Sequence, residues 1–264
     1  MLQCRSGDGA YRAGRTRVSK TPMAGSQGKV VRELEADMRT LRRRRLGCIG
    51  LAVMAAGLFI TGAGRAAGYG QEAPQRPTSR PYTGDLSIFE YPERDKRLHV
   101  DRVMDLLGIA AGKSVADVGA GSGWFTVRAA ARVGSGGLVY AEDINPEAID
   151  YITKRAAEAK LGNIKPVLGT VDDVKLPEGS VDAVLLLKVY HEMARPIPLM
   201  AKLRASLKPG AKVGIIDRNG NGADHGIMPD VVEREMGEAG YKRVGKYDFT
   251  KDDGQDYFLI FTAK

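Results

Sequence analysis

At 264 residues the chain has room for one large domain or two small ones, and its 43% hydrophobic share suits a globular protein with a full core. The net charge of +8 sits wholly in residues 1–45, which hold 12 Lys/Arg against four Asp/Glu, so the rest is neutral and offers no bulk basic face for a nucleic acid. Cys4 and Cys48 both precede the folded part, and His99, His191 and His225 are far apart in sequence, so no disulfide, thiol nucleophile or metal site is expected there.

Residues 1–37 are rich in Gly, Arg and Ser without an apolar period, which predicts disorder or a non-native extension; Met38 then serves as an alternative start. Residues 38–68 run from a basic start (Arg42–Arg45) through an apolar stretch (Leu46–Gly64) to small residues. That order is an export signal, with paired arginines resembling a twin-arginine signal. The alternative is a membrane anchor, weakened by five glycines in the run. The expected location is therefore periplasmic or membrane-anchored, with membrane contact only through residues 46–64, and cytoplasmic if the segment is not used. Residues 69–85, with Pro74, Pro77 and Pro81, read as a linker, and the domain begins near Leu86.

From Arg94 onward helix and strand patterns alternate. Helical spacing predicts a helix over Arg94–Leu107. A strand over Ser114–Val118 follows, then an alanine-rich helix Trp124–Val133 and a strand Leu138–Ile144. Asn145 before Pro146 is a capping arrangement for a helix to Ala159. Next come a strand Lys165–Leu168 and the nearly all-apolar Val181–Leu187, as a central parallel strand requires. A helix Ile197–Leu207 stops at Lys208-Pro209-Gly210, ahead of a strand Lys212–Asp217 and a helix Met228–Ala239. Lys242–Phe249 and Tyr257–Thr262 can pair antiparallel. The expected fold is α/β: a doubly wound, mostly parallel seven-stranded sheet, Rossmann-like, with the last strand antiparallel.

The loop between the first strand and the alanine-rich helix reads Asp117, Val118, Gly119, Ala120, Gly121, Ser122, Gly123. Its glycines allow a sharp turn and close approach of a ligand to backbone amides at a helix N-terminus. The dinucleotide pattern Gly-x-Gly-x-x-Gly would need glycine where Trp124 stands. Asp117 is placed to pair with a ligand's ammonium group.

Val115 to Gly123 resembles the first motif of class I S-adenosylmethionine-dependent methyltransferases, and the similarity in element order runs through roughly residues 89–262. The resemblance implies S-adenosylmethionine as cofactor. It implies Asp117, Gly119, Ala120, Gly121 and Gly123 at the methionine end, and Asp143 on the ribose with Glu142 as substitute. Gly169 to Asp173 resembles the segment along the adenine; Thr170 replaces the usual acid, leaving Asp172 and Asp173 as candidates, with Lys188 a further cofactor-binding candidate.

Methyl transfer from a sulfonium is a direct displacement, so holding donor and acceptor in line supplies much of the catalysis. A base is needed only for a protonated acceptor. Tyr190, His191 and Glu192 follow the fourth strand at the ligand-binding edge of such folds and are the catalytic candidates, as acceptor contact, base and orienting group. Asp217 shares that edge, and the loop carrying His225 is a candidate acceptor wall. Phe89–Asp95 is expected to cover the donor pocket. The partner expected is a small-molecule methyl acceptor, not a nucleic acid. The alternatives are an NAD-dependent oxidoreductase, disfavoured by Trp124, and an exported nucleotide-fold binding module without turnover.

Overall fold

The computed structural model describes residues 75–78, 82–250 and 255–264. The N-terminal extension, the stretch 38–68 and part of the linker lie outside them. Among the described residues, no helix is long and apolar enough to cross a membrane.

After a 3-10 turn at Leu86–Glu90, the single helix expected over Arg94–Leu107 is two, α1 (Arg94–Leu98) and α2 (Val100–Leu107). His99 breaks it at φ 47° and ψ 50°. The reason lies in the apolar pattern. Leu98 and Val100 would point about 200° apart on one continuous helix, yet both are buried in the same core. Then follow β1 (Ser114–Val118), α3 (Trp124–Val133), β2 (Leu138–Asp143), α4 (Pro146–Glu158), β3 (Ile164–Leu168) and β4 (Val181–Leu187). Asn145 caps α4 by accepting the Glu147 N–H, with Pro146 at the first helical position.

Beyond β4 come a 3-10 turn at Tyr190–Glu192, α5 (Pro196–Leu203), β5 (Leu207–Arg218), α6 (Pro229–Glu238), β6 (Tyr241–Tyr247) and β7 (Asp256–Ala263). The α5 helix is shorter and β5 longer than the sequence predicts. Leu207 already pairs with Val181, and a bulge opposite Val181–Ala183 carries the strand past the glycine kink at Gly210, φ 79°.

The strands form one sheet in the order β3-β2-β1-β4-β5-β7-β6. Pairing is parallel from β3 through β5, and β7 lies antiparallel between β5 and β6. Pro166 is tolerated in β3 because that strand is an edge. Alternate side chains feed two cores. Val115, Val139, Leu185 and Phe258 pack with α2 and α3 on one face. Val118, Val184, Ile215 and Phe261 pack with α5 and α6 on the other. The chain runs outward from β1 to β3 and returns to β4 beside β1, so the sheet switches direction between β1 and β4. Ligands bind outside the carboxyl ends of strands at such a point.

Candidate active site

A cleft of about 820 Å³ opens at that switch point, toward the upper end of the roughly 300–1,000 Å³ typical of small-molecule sites. Gly119, Ala120, Gly121 and Ser122 form part of its floor, and Trp124 lines it at the start of α3. Gly119 and Gly121 have φ of 69° and 54°, a left-handed backbone that only glycine adopts easily. A Cβ on Gly119 would also stand 2.5 Å from Val189 Cγ2. Gly123 does not line the cleft; it caps α3, and its N–H donates to Ala120 O at 2.8 Å.

Asp117 is next to last in β1 and is 2% exposed. Thr126 Oγ1 donates to its Oδ2 at 2.6 Å, and Arg94 is close enough to act on it electrostatically. Burial outweighs both and pushes its pKa up to about 6. Arg94 lines the same cleft, with its guanidinium 4.3 Å from the centre of the Trp124 ring. Arg128 stacks on that ring as well, at 4.1 Å, and grips Asp95 at 2.9 Å. Leu86, Phe89 and Tyr91 also line the cleft, so the segment before α1 covers it. Glu90 binds Arg155 of α4 at 2.7 Å and fastens that cover.

At the end of β2 two acids meet. Asp143 accepts the Gly121 N–H at 2.8 Å and the Asn145 N–H at 2.9 Å. Glu142 accepts a long bond from Gly119 N–H at 3.4 Å. Burial, then the charge of Asp143, push the Glu142 pKa up to about 8. Both line the cleft, as does Ile144.

Asp172 and Asp173 do not line it, a departure from the sequence reading. Asp173 accepts the Lys175 N–H at 2.8 Å and closes a turn with Thr170, while Asp172 pairs with Arg195 at 3.4 Å. Thr170 and Val171 line that wall instead. Lys188 lines the cleft, but its ammonium binds Asp256 at 2.5 Å.

The three catalytic candidates separate. Tyr190 is fully buried beneath Arg76, does not reach the cleft, and belongs to the core. Burial, then the Glu235 charge, push its pKa well above the usual tyrosine range, and a ring outside the cleft makes no acceptor contact there. Glu192 lines the cleft. Its pKa is pushed up to about 7, chiefly by burial. His191 stands just behind, 3% exposed. Its Nδ1 lies 2.9 and 3.0 Å from the two Asp217 oxygens, and its backbone N–H donates to Oδ2 at 3.1 Å. Asp217 is an acceptor, so Nδ1 is the ring nitrogen that donates to it. His191 Nε2 lies 3.9 Å from Glu192 Oε1, and the His225 ring stands edge-on to His191 at 5.9 Å.

Sequence reasoning missed Arg76. Its Nε donates to Met193 O at 2.9 Å, it pairs with Glu235 at 3.3 Å, and its guanidinium lies 5.0 Å from the centre of the Tyr190 ring. Gln75 and Thr78 beside it line the cleft. The supposed linker therefore contributes to the site. A proline-flanked arginine gives no periodic signal, so only its buried acid partner could reveal it.

Residues 115–210 match the family described as a methyltransferase domain. An uncharacterized methyltransferase of Mycobacterium tuberculosis (strain H37Rv) is 35% identical over 127 residues, 47% of each chain. Nocamycin O-methyltransferase of Saccharothrix syringae is 33% identical over 115 residues, covering 43% of this chain and 41% of its own. The chain thus spans about half the length of the curated relatives it matches. Among solved structures, a SAM-dependent methyltransferase from Aquifex aeolicus aligns with a TM-score of 0.62 at 22% identity, over 69% of this chain and all of its own. The fold is that of the class I S-adenosylmethionine-dependent methyltransferases.

Proposed function

We propose that this chain, carrying the class I methyltransferase fold, transfers the methyl group of S-adenosylmethionine to a small, largely apolar acceptor. One observation carries the reading: a single cleft joins the glycine loop to an apolar wall made by Leu86, Phe89, Tyr91, Val189, Met193 and Leu199.

In this reading the donor's ammonium pairs with Asp117. Its carboxylate meets Arg94 and the amides at the start of α3, where the helix dipole favours a negative charge. Asp143 takes the ribose hydroxyls, and Ile144 and Val171 sandwich the adenine. The sulfonium carbon then faces the apolar wall. The acceptor atom would take that carbon as the S–C bond breaks, and both electrons of that bond would stay on sulfur. A hydroxyl or acidic C–H acceptor would pass its proton to the Glu192 carboxylate, which lines the same cleft, or to water. The sulfonium is already activated, so alignment within a closed cleft does most of the work. The nocamycin relative's printed name fits a small acceptor, and the neutral charge balance of residues 46–264 argues against a nucleic acid.

The test is turnover of methyl-labelled donor against a panel of apolar small molecules bearing a hydroxyl or an acidic C–H. Transfer to at least one member, with S-adenosylhomocysteine released in equal amount, is expected. Labelled methyl appearing only on protein or nucleic acid would overturn the small-acceptor reading. Export by residues 38–68 belongs to the same proposal. Fractionation of cells making the full chain should place it outside the cytoplasm or in the membrane, and a wholly cytoplasmic product would contradict it.

A further inference from the structure

We propose that His191, Glu192 and His225 bind one divalent first-row transition ion, with zinc as the reference case, at the acceptor wall of the cleft. Their nearest ligand atoms all lie within 4.8 Å of one another. Two imidazoles and one carboxylate form a donor set that suits zinc or iron(II) and leaves positions open for a further ligand.

Three features point beyond a chance cluster. First, His191 is already arranged as a ligand. Asp217, fully buried near the end of β5, holds its Nδ1 and leaves Nε2 facing Glu192 at 3.9 Å. A carboxylate behind a ligating histidine fixes the ring and raises its basicity, and such partners are the rule around bound metals. Second, the charges match. Glu192 and Asp217 supply two acids against a divalent cation. Third, His225 is delivered by a structured loop. Gly222 N–H donates to Gly226 O at 2.6 Å and Ile227 N–H to Arg218 O at 2.8 Å. Asp224 Oδ1 accepts the Asn221 N–H at 2.9 Å. That hairpin folds His225 back onto His191 across 33 intervening positions, which is why linear spacing hides the site.

The set is more open than a loaded site. Ligands about 2.1 Å from a tetrahedral ion lie roughly 3.4 Å apart. The exposed His225 ring must swing in by about the difference, while His191 stays fixed by Asp217. Glu192 is the ligand that also lines the cleft, so the ion would stand where the proposed acceptor binds and could hold its oxygen. That use rests on the proposed methyl transfer; the binding itself does not.

The experiment uses the full chain with Cys4→Ser and Cys48→Ser, so that thiols do not compete, stripped with EDTA and titrated with Zn2+ against a chromophoric chelator. One equivalent is expected to bind saturably. Asp217→Asn should weaken it by about 10- to 100-fold, and His225→Ala by at least as much. His225 is exposed, so its removal spares the core. S-adenosylhomocysteine affinity should stay within twofold in His225→Ala, because that side chain stands outside the donor half. Substituted Co2+ should give visible d–d absorption that His225→Ala abolishes. Absence of a saturable equivalent, or equal affinity in both variants, would overturn the proposal. Zinc bound normally by a chain that ignores S-adenosylhomocysteine would support the metal site and sink the donor reading.

Discussion

At the scale of single residues, Asp117 and Arg94 decide what the glycine loop can hold. Asp117 lies among Thr126, Arg94 and Asp143, and burial pushes its pKa up to about 6. A ligand ammonium needs the ionised form. Donor affinity should therefore rise with pH up to about 6, by roughly tenfold per unit below it, and then level off. Calorimetry with S-adenosylhomocysteine across that range checks this, and binding below pH 6 should release a proton. Arg94→Met should weaken binding by about 10- to 150-fold, from the roughly 1.5–3 kcal/mol of a charged hydrogen bond, while the melting temperature reports whether the Trp124 stack alone has suffered. Asp117, Gly119, Gly121 and Asp143 were legible in the sequence because strand, glycines and acid occur in a fixed order. Asp172, Asp173 and Tyr190 misled because adjacent residues on a turn or strand end point different ways, and only the fold selects which reaches the cleft. Arg94 carried no motif. Its meaning comes from the Trp124 ring beside it.

At the scale of elements, the segment preceding the sheet is part of the site. Arg76 joins it to the 3-10 turn after β4 and to α6 through Tyr190, Met193 and Glu235. Removing Arg76 leaves Glu235, 7% exposed, without its cation. Breaking a buried ion pair from one side costs about 3–5 kcal/mol, so Arg76→Ala should lower Tm by roughly 10 °C in a domain of this size. Thermal denaturation checks it. Pairing Arg76→Met with Glu235→Gln should recover much of the loss, because no charge is then stranded; equal losses would assign the effect to packing alone. The composition of residues 69–85 reads as a linker because prolines and polar side chains dominate it, and a local signal of that kind does not report the long-range ion pair of Arg76. The same limit applies to α1 and α2. Periodicity sees a single helix, while the break at His99 is set by which core Leu98 and Val100 must both reach.

At the scale of the whole molecule, strand count, element order and the antiparallel β7 were readable because buried strands such as Val181–Leu187 leave almost no polar residue. The order β3-β2-β1-β4-β5-β7-β6 was not legible in the sequence, because pairing between strands far apart in the chain leaves no local signal. The buried acids give the molecule a pH dependence. Folding raises the pKa of Asp117 from 3.8 to about 6, facing Thr126, Arg94 and Asp143, and of Glu142 from 4.5 to about 8, facing Gly119 N–H, Asp143, Asp117 and Asp173. The folded state thus binds more protons than the unfolded one across those windows. Stability should fall as pH rises from about 4 to 8. Thermal melts should show the ligand-free protein more stable at pH 5 than at pH 8. Saturating S-adenosylhomocysteine should narrow the gap, because the ammonium compensates Asp117. A melting temperature that rises steadily from pH 5 to pH 8 without ligand would contradict the burial of these acids.

The cleft at the β1–β4 switch point is built to take S-adenosylmethionine rather than a dinucleotide. The most direct measurement is calorimetry of the purified full chain at pH 7.5, roughly the plateau expected for Asp117, against S-adenosylhomocysteine and NAD in parallel. Saturable one-to-one binding of S-adenosylhomocysteine, lost in Gly121→Val, with no heat from NAD, is the predicted result. Tight binding of NAD with none of S-adenosylhomocysteine would contradict it.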